Sequence, residues 1–302
     1  MNLDAGPLLD ICHFPDARTS VDLAVSGGPD STGLLLLALA AQLDVTVHHV
    51  DHHARPASGD DAAQVERICA ALGVAFVRHD VTVSPGPNFE SRARAERRRA
   101  MGSSVMTGHT MDDLAETVLL NMLRGAGVDG LSPMVEDPTK PLRDVRRRDL
   151  AAFVASSGYV PVHDESNDSA LFWRNRVRGE LVPLMSAIAE RDVVPILARQ
   201  AALMGDERRW LDLLSRDDRA TSLADADCRL LRSWPTARLR RWLRVQLRDI
   251  DHGDGSHPPS ADEVDRALAV VRGEAVATEL SGGRRLARSA QRLTLEGGSP
   301  LR

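Results

Sequence analysis

The chain has 302 residues, enough for one large or two ordinary domains with a sizeable buried core. Its formal net charge of −5 argues against a uniformly basic nucleic-acid binder, although local basic patches remain open. Three widely spaced cysteines, Cys12, Cys69 and Cys228, form neither a disulfide framework nor a C-x-x-C pair, so a reduced, cytoplasmic protein is expected. The N-terminal segment lacks the basic region of a signal peptide, and no apolar run approaches the ~20 residues that cross a bilayer. Of the 38 basic residues only Lys140 is a lysine. Coding bias accounts for that, yet a cationic phosphate contact here is expected to be a forked guanidinium.

In chain order, Val21–Val25 suits a buried strand and residues 32–41 an aliphatic helix, joined by Ser26-Gly27-Gly28-Pro29-Asp30-Ser31. A strand at 45–50 precedes a helix at 59–72, and a strand at 74–78 precedes a charged helix at 90–101. A fourth strand at 104–107 leads into a helix at 112–124. Strand alternating with helix in this way predicts an α/β fold, a doubly wound and mostly parallel sheet with helices on both faces. Ligands of such sheets bind at the carboxyl ends of the strands. Helices are then expected at 144–157, 172–187 and 193–214, with a domain boundary near 215–224. Residues 1–215 are thus read as one domain with a helical extension, and 216–302 as a small α+β domain. The latter carries helices at 238–247 and 261–271, a loop at 251–260, and a strand pair at 275–295 turned at Gly282-Gly283.

Three constellations carry chemistry. In SGGPDS the glycines allow a sharp turn and close approach to a bound group, and the following helix aims N–H groups and its positive dipole end there. That suits phosphate, while the missing lysine excludes the common P-loop. Ser26, Ser31 and the turn amides would grip pyrophosphate, and Asp30 would hold magnesium or orient a nucleophile. An ordinary turn with Asp30 and Ser31 as helix caps is the other reading. In the second constellation, Asp112 and Glu116 stand four apart and Asp113 and Glu116 three apart, sharing a helix face just after His109. Such carboxylates could carry a metal ion or hold a cationic substrate, although acidic residues in a first turn are favoured by the dipole in any case. Third come arginine clusters at 92–99, at 143 and 146–148, at 174–178 and at 238–244, read either as solvated faces or as a polyanion track.

These segments resemble the tRNA(Ile)-lysidine synthetase family of the ATP-pyrophosphatase (PP-loop) superfamily. The resemblance rests on SGGPDS, on Val50-Asp51-His52 through Arg55 and Ser58, on Ala93-Arg94 through Arg97-Arg98, on an unbroken pattern from His109 to Leu131, and on Asp164 through Arg178. Arg98 stands where the family usually has tyrosine.

The resemblance implies that ATP adenylates O2 of the wobble cytidine of the CAU-anticodon isoleucine tRNA, and that L-lysine then attacks C2 to give lysidine. It places Ser26, Gly27, Gly28, Pro29, Asp30, Ser31, Asp51 and Arg94 at the nucleotide, with a magnesium ion on Asp30. It makes Asp30, His109, Asp113 and Glu116 catalytic, sets Asp112, Asp113 and Glu116 around lysine, and gives Arg97, Arg174, Asn175 and Arg178 to the tRNA. The C-terminal domain is expected to touch tRNA; no membrane partner is implied, and a homodimer is admitted. A tRNA thiolase on the same scaffold, or a nucleotide-binding regulator without turnover, are the alternatives.

Overall fold

The computed structural model describes residues 5–51, 58–81, 96, 99–159, 173–214, 222–224, 226–248 and 259–297, with the backbone alone for 58–60. Contacts group the chain into two units, one formed by Met1–Leu123 with Ser132–Leu203 and the other by Arg124–Leu131 with Met204–Arg302.

The first unit is built on four parallel strands, β1 (Ser20–Ala24), β2 (Asp44–Asp51), β3 (Ala75–Asp80) and β4 (Met106–Thr107), in the order β3-β2-β1-β4. Alternation fixes the pleat of β1, where Val21 and Leu23 are buried between exposed Ser20 and Asp22. Helix α1 (Pro29–Ala40) follows β1 and is buried continuously from Ser31 to Ala38, so it shows no amphipathic stripe. Gly33 lets α4 (Arg147–Ser156) pack against it, because a Cβ there would lie 2.5 Å from Leu150 Cδ1. Helices α2 (Ser58–Leu72) and α3 (Met111–Leu123) follow β2 and β4. Successive connections from β1 run outward through β2 and β3, then return to the other side of β1 at β4. The crevice between the ends of β1 and β4 is therefore the topological switch point, where open α/β sheets bind ligands.

The helix expected at 172–187 is interrupted. Trp173–Arg176 is α-helical, Val177–Leu181 is a π-turn, and the α-helix resumes over Val182–Ile188. Pro183 has no N–H, so the ordinary bond to the Gly179 carbonyl cannot form and the ladder shifts by one residue, with Val182 N–H reaching the Val177 carbonyl. Of the helix expected at 90–101, only Glu96 and residues 99–101 lie within the described residues.

In the second unit Trp242, Leu231, Leu239, Leu243, Leu247 and Leu286 are fully buried, supplied by helices Cys228–Arg232 and Thr236–Arg248 and by a small sheet, and helix Ala261–Arg272 adds buried Val264, Leu268 and Val271. The sheet is antiparallel, β5 (Ala277–Leu280), β6 (Arg284–Ser289) and β7 (Arg292–Glu296), and so has three strands rather than the expected pair. The second turn is made by Ala290 and Gln291 at φ 48° and 67°, and neither residue type announces a left-handed turn. Among the described residues no helix is long and apolar enough to cross a membrane.

Candidate active site

The site is assembled at the carboxyl ends of β1 and β4. Gly27 adopts φ 91°, a region closed to most side chains, and turns the chain out of β1. Gly28 caps α1 without a side-chain acceptor and Pro29 opens the helix, so no side chain covers the first-turn amides. The Ser31 hydroxyl ties the turn together, donating to the Gly28 carbonyl at 3.0 Å and accepting from Ser26 N–H at 3.2 Å. The loop after β4 presses against this turn: a Cβ on Gly108 would stand 2.6 Å from the Asp30 carbonyl oxygen. The glycine turn and the start of α3 therefore converge on one crevice.

At that helix start, capping and site are built from the same carboxylate. Asp113 Oδ2 accepts from Thr110 N–H at 2.9 Å and from its hydroxyl at 2.8 Å. Asp113 Oδ1 is thereby left to face Arg147 Nη2 at 2.8 Å and Arg174 Nη2 at 3.0 Å. Glu116, one helical turn on, has a side chain only 3% exposed and accepts from Arg147 Nη1 at 2.9 Å and Arg174 Nε at 2.9 Å. Arg178 adds a fork on Glu116 at 2.7 and 3.1 Å, projecting from the π-turn. Arg147 Nε also reaches Asp30 Oδ2 at 3.2 Å. One guanidinium thus joins the glycine turn to both carboxylates of α3. The cluster sets three carboxylates, Asp30, Asp113 and Glu116, against three guanidiniums, Arg147, Arg174 and Arg178.

Electrostatics separate the three carboxylates. For Asp113, burial alone would raise the carboxyl, but Arg147, Arg174, His109 and the Thr110 amide outweigh it and hold the pKa down at about 2. The Asp30 carboxyl is pushed up by burial, and Arg147, which pulls it down, does not cancel that push or the repulsion from Asp113. Its Oδ1 is buried with no hydrogen-bond partner. A lone, buried carboxylate oxygen facing a phosphate-type turn fits a hard cation such as magnesium.

The other expected residues fall as follows. Asp112 is turned away from the Asp113–Glu116 pair toward Arg146, which contacts it at 3.1 and 3.2 Å, and the Arg147 amide at 2.8 Å. Asp51 is buried at the end of β2 and receives Arg78 Nη2 at 2.9 Å. His109 lies partly buried after β4, its Nδ1 2.6 Å from the Thr107 hydroxyl. Asn175 is partly buried beside Arg174. Arg174 and Arg178, expected at the RNA, engage Asp113 and Glu116 here. Arg94 and Arg97 lie outside the described residues, as do His52, Arg55, Arg98 and the 164–167 segment. In the second unit, several arginines of the 238–244 cluster are ion-paired: Arg240 to Asp265 at 2.9 Å, Arg241 to Asp212 at 2.6 Å and Arg244 to Asp129 at 3.4 Å.

Arg147 is the residue that the sequence reading passed over, since it sits within Arg146–Arg148 and reads as part of a charged run. A signal existed. Arg147 falls on the same helical stripe as Leu150 and Val154, both buried, whereas the Arg148 side chain is 69% exposed.

Comparison with known proteins gives the family. The PP-loop domain family matches residues 9–185. The chain is similar to the tRNA(Ile)-lysidine synthase of Nocardia farcinica, at 34% identity over 90% of this chain and 86% of that protein. It is similar to the same-named protein of Rhodococcus jostii at 36% identity, covering 79% and 80% of the two chains. With that of Pseudomonas syringae pv. tomato it shares 35% identity over 76% of this chain but 59% of the longer relative. Among solved structures, the U34-tRNA thiolase NcsA of Methanococcus maripaludis shares the fold, with a TM-score of 0.51 over 66% of this chain and 73% of that one, at 16% identity.

Proposed function

The chain belongs to the tRNA(Ile)-lysidine synthase family, and from that membership and the site we propose that it is the ligase joining L-lysine to C2 of the wobble cytidine of the CAU-anticodon isoleucine tRNA. In this reading ATP adenylates cytidine O2 and pyrophosphate leaves. The lysine ε-amine then bonds to C2, the C2–O2 bond breaks, and AMP departs with the oxygen. The observation that carries the reading is the meeting of an uncapped, glycine-turned helix start with a buried carboxylate pair through Arg147.

The residues divide the work. Ser26, Gly27, Gly28 and Ser31 hold phosphate oxygens through amides and hydroxyls, as helix starts do. Asp30 would hold a magnesium ion, which when bound offsets phosphate charge. Asp113 and Glu116 attract the lysine ammonium and His109 borders their site. Because each carboxylate is already paired, the ammonium takes the place of a guanidinium. Arg174 and Arg178, the more exposed of the three arginines, are the ones that tRNA phosphates can recruit. Arg94 and Arg97 are proposed to meet the triphosphate and the RNA, and residues 216–302 to extend the RNA contact.

Sulfur transfer, the rival chemistry on this scaffold, is less well served. It needs a thiolate, and burial pushes the Cys12 thiol up to about 12 and the Cys69 thiol to about 11. Incubation with ATP, radiolabelled lysine and transcript tRNAs tests the assignment. Label is expected in the CAU isoleucine transcript with one AMP formed per lysine incorporated. Absence of label from every RNA, with protein shown to be folded by circular dichroism, would sink it.

A further inference from the structure

The only lysine of the chain is seated beside the catalytic crevice, and the hydrogen bonds around it constrain a neighbouring imidazole. Asp137 organises the seat: its Oδ1 accepts from Thr139 N–H at 2.9 Å and from the Thr139 hydroxyl at 2.6 Å, and its carbonyl accepts from Lys140 N–H at 3.0 Å. Burial would raise the Asp137 carboxyl, but these Thr139 bonds, with the charge of Lys140, bring it below its ordinary range. The turn is fastened to β4, because Thr107 N–H donates to the Thr139 carbonyl at 2.9 Å. Lys140 Nζ then donates to the Thr107 hydroxyl oxygen at 2.8 Å and to the Thr139 hydroxyl oxygen at 3.0 Å.

An ammonium donates and never accepts, whereas a hydroxyl has one hydrogen to give. With Lys140 donating into Thr107 Oγ1, the Thr107 hydrogen has two acceptors within reach among the described residues. One is His109 Nδ1 at 2.6 Å; the other is the Thr139 carbonyl at 3.5 Å, which already accepts the Thr107 amide. The short contact takes it. Were the proton on Nδ1 instead, Thr107 Oγ1 would receive two donors, one of them cationic, and its own hydrogen would be left to the 3.5 Å contact. His109 Nδ1 is therefore an acceptor, and the ring proton lies on Nε2.

We propose that Lys140 is a positioning residue that, through Thr107, locks His109 as the neutral Nε2–H tautomer. This deepens the lysidine-forming reading and rests on it for its catalytic meaning. In that reaction His109 carries a donor rather than a base at Nε2 and so does not remove the proton of the lysine ammonium, a task left to a carboxylate. Among the described residues, Asp113 and Asp137 bear on His109 directly and Lys140 bears on it through Thr107.

Long-range proton–nitrogen NMR of the full chain labelled with ¹⁵N-histidine tests this directly, with His109 assigned by the signal lost in His109→Asn. At neutral pH the wild type is expected to show an unprotonated Nδ1 and a protonated Nε2. Lys140→Met should move Nδ1 toward the protonated position, while Lys140→Arg, which keeps two donors and the charge, should restore the wild-type pattern. Thr107→Val supplies the same readout should Lys140→Met fail to fold. Lysine incorporation into tRNA should fall about 10- to 100-fold in Lys140→Met and recover in Lys140→Arg. A protonated Nδ1 in the wild type, or a pattern unmoved in Lys140→Met or Thr107→Val, overturns the proposal. Absence of lysidine formation in every form, with the tautomer pattern as expected, would overturn the functional reading and leave the tautomer assignment standing.

Discussion

Each unit of the molecule sets a carboxylate in the first turn of a helix, and the two are treated in opposite ways. In the second unit Glu263, 3% exposed, accepts from Ser281 N–H at 2.7 Å and from its hydroxyl at 3.1 Å, while its own N–H is capped by Ser260 Oγ at 3.1 Å. Neutral donors satisfy both oxygens, and the residue fastens Ser281, just after β5, to its helix. In the first unit Asp30 keeps one oxygen without a partner and meets Arg147 with the other. The Glu263 carboxylate is satisfied internally; Asp30, under the proposed function, keeps an oxygen for a bound cation.

The largest effect that would break this comparison concerns Asp30. Asp30→Asn should lower lysidine formation by about 10³-fold, the scale of losing a charged group aimed at developing charge. It should nevertheless leave the fold equally stable or more stable by up to about 1 kcal/mol at neutral pH, measured by chemical denaturation. The sign follows from the raised pKa: the favourable contribution is complete below the unfolded-state pKa and is lost as pH rises through the folded one, so the ionised group is a net cost at neutral pH. Marked destabilisation together with normal turnover would contradict both halves.

Arg147→Met should cost about 3–5 kcal/mol, because it leaves buried Asp113 and Glu116 short of countercharge. Arg148→Met on the same helix should change stability by under ~0.5 kcal/mol, since that side chain is exposed. Equal effects at the two positions would mean that Arg147 is not the hub. A smaller effect is linked to pH. The Asp113 carboxyl is held down at about 2 from an ordinary 3.8, so its stabilisation is present above the unfolded value and is lost as pH falls through the folded one. Acid titration of stability between about pH 5 and pH 2 should therefore show a loss of about 2 kcal/mol that is absent in Asp113→Asn. Glu263→Gln should cost about 1 kcal/mol and leave turnover unchanged, because the amide oxygen still accepts from Ser281 N–H and the amide nitrogen can donate to the Ser281 hydroxyl. Reduced turnover in that variant would place the second unit's helix start in the chemistry.

Much of the architecture was legible because local patterns and global topology agree. Buried strands of β-branched and aliphatic residues alternate with helices, and that alternation alone brings Ser26–Ser31 and His109–Glu116 to the same sheet edge. What was hidden lies in side-chain direction and in turns lacking glycine. Arg147 looked like one of three equivalent arginines until the burial of Leu150 and Val154 fixed which face of α4 it occupies. Asp112 and Asp113 are adjacent in sequence and diverge in space, one to Arg146 and the other to Arg147 and Arg174. Spacing alone could not tell capping from site, because Asp113 performs both, one oxygen for each. The third strand of the small sheet escaped notice because Ala290-Gln291 turns without the glycine that marks Gly282-Gly283. Lys140 was noted for its rarity, but its partners Thr107 and Thr139 are brought to it only by the pairing of residue 139 with β4.

The account stands on the glycine turn and the acidic helix start forming one electrostatic unit through Arg147. A double-mutant cycle on unfolding free energy, using Asp30→Asn, Asp113→Asn and the pair, measures this most directly. Both carboxylates draw on the same guanidinium and repel each other, so the double variant is predicted to depart from the sum of the singles by about 0.5–3 kcal/mol. Additivity to within ~0.3 kcal/mol would show two independent carboxylates and contradict the single site.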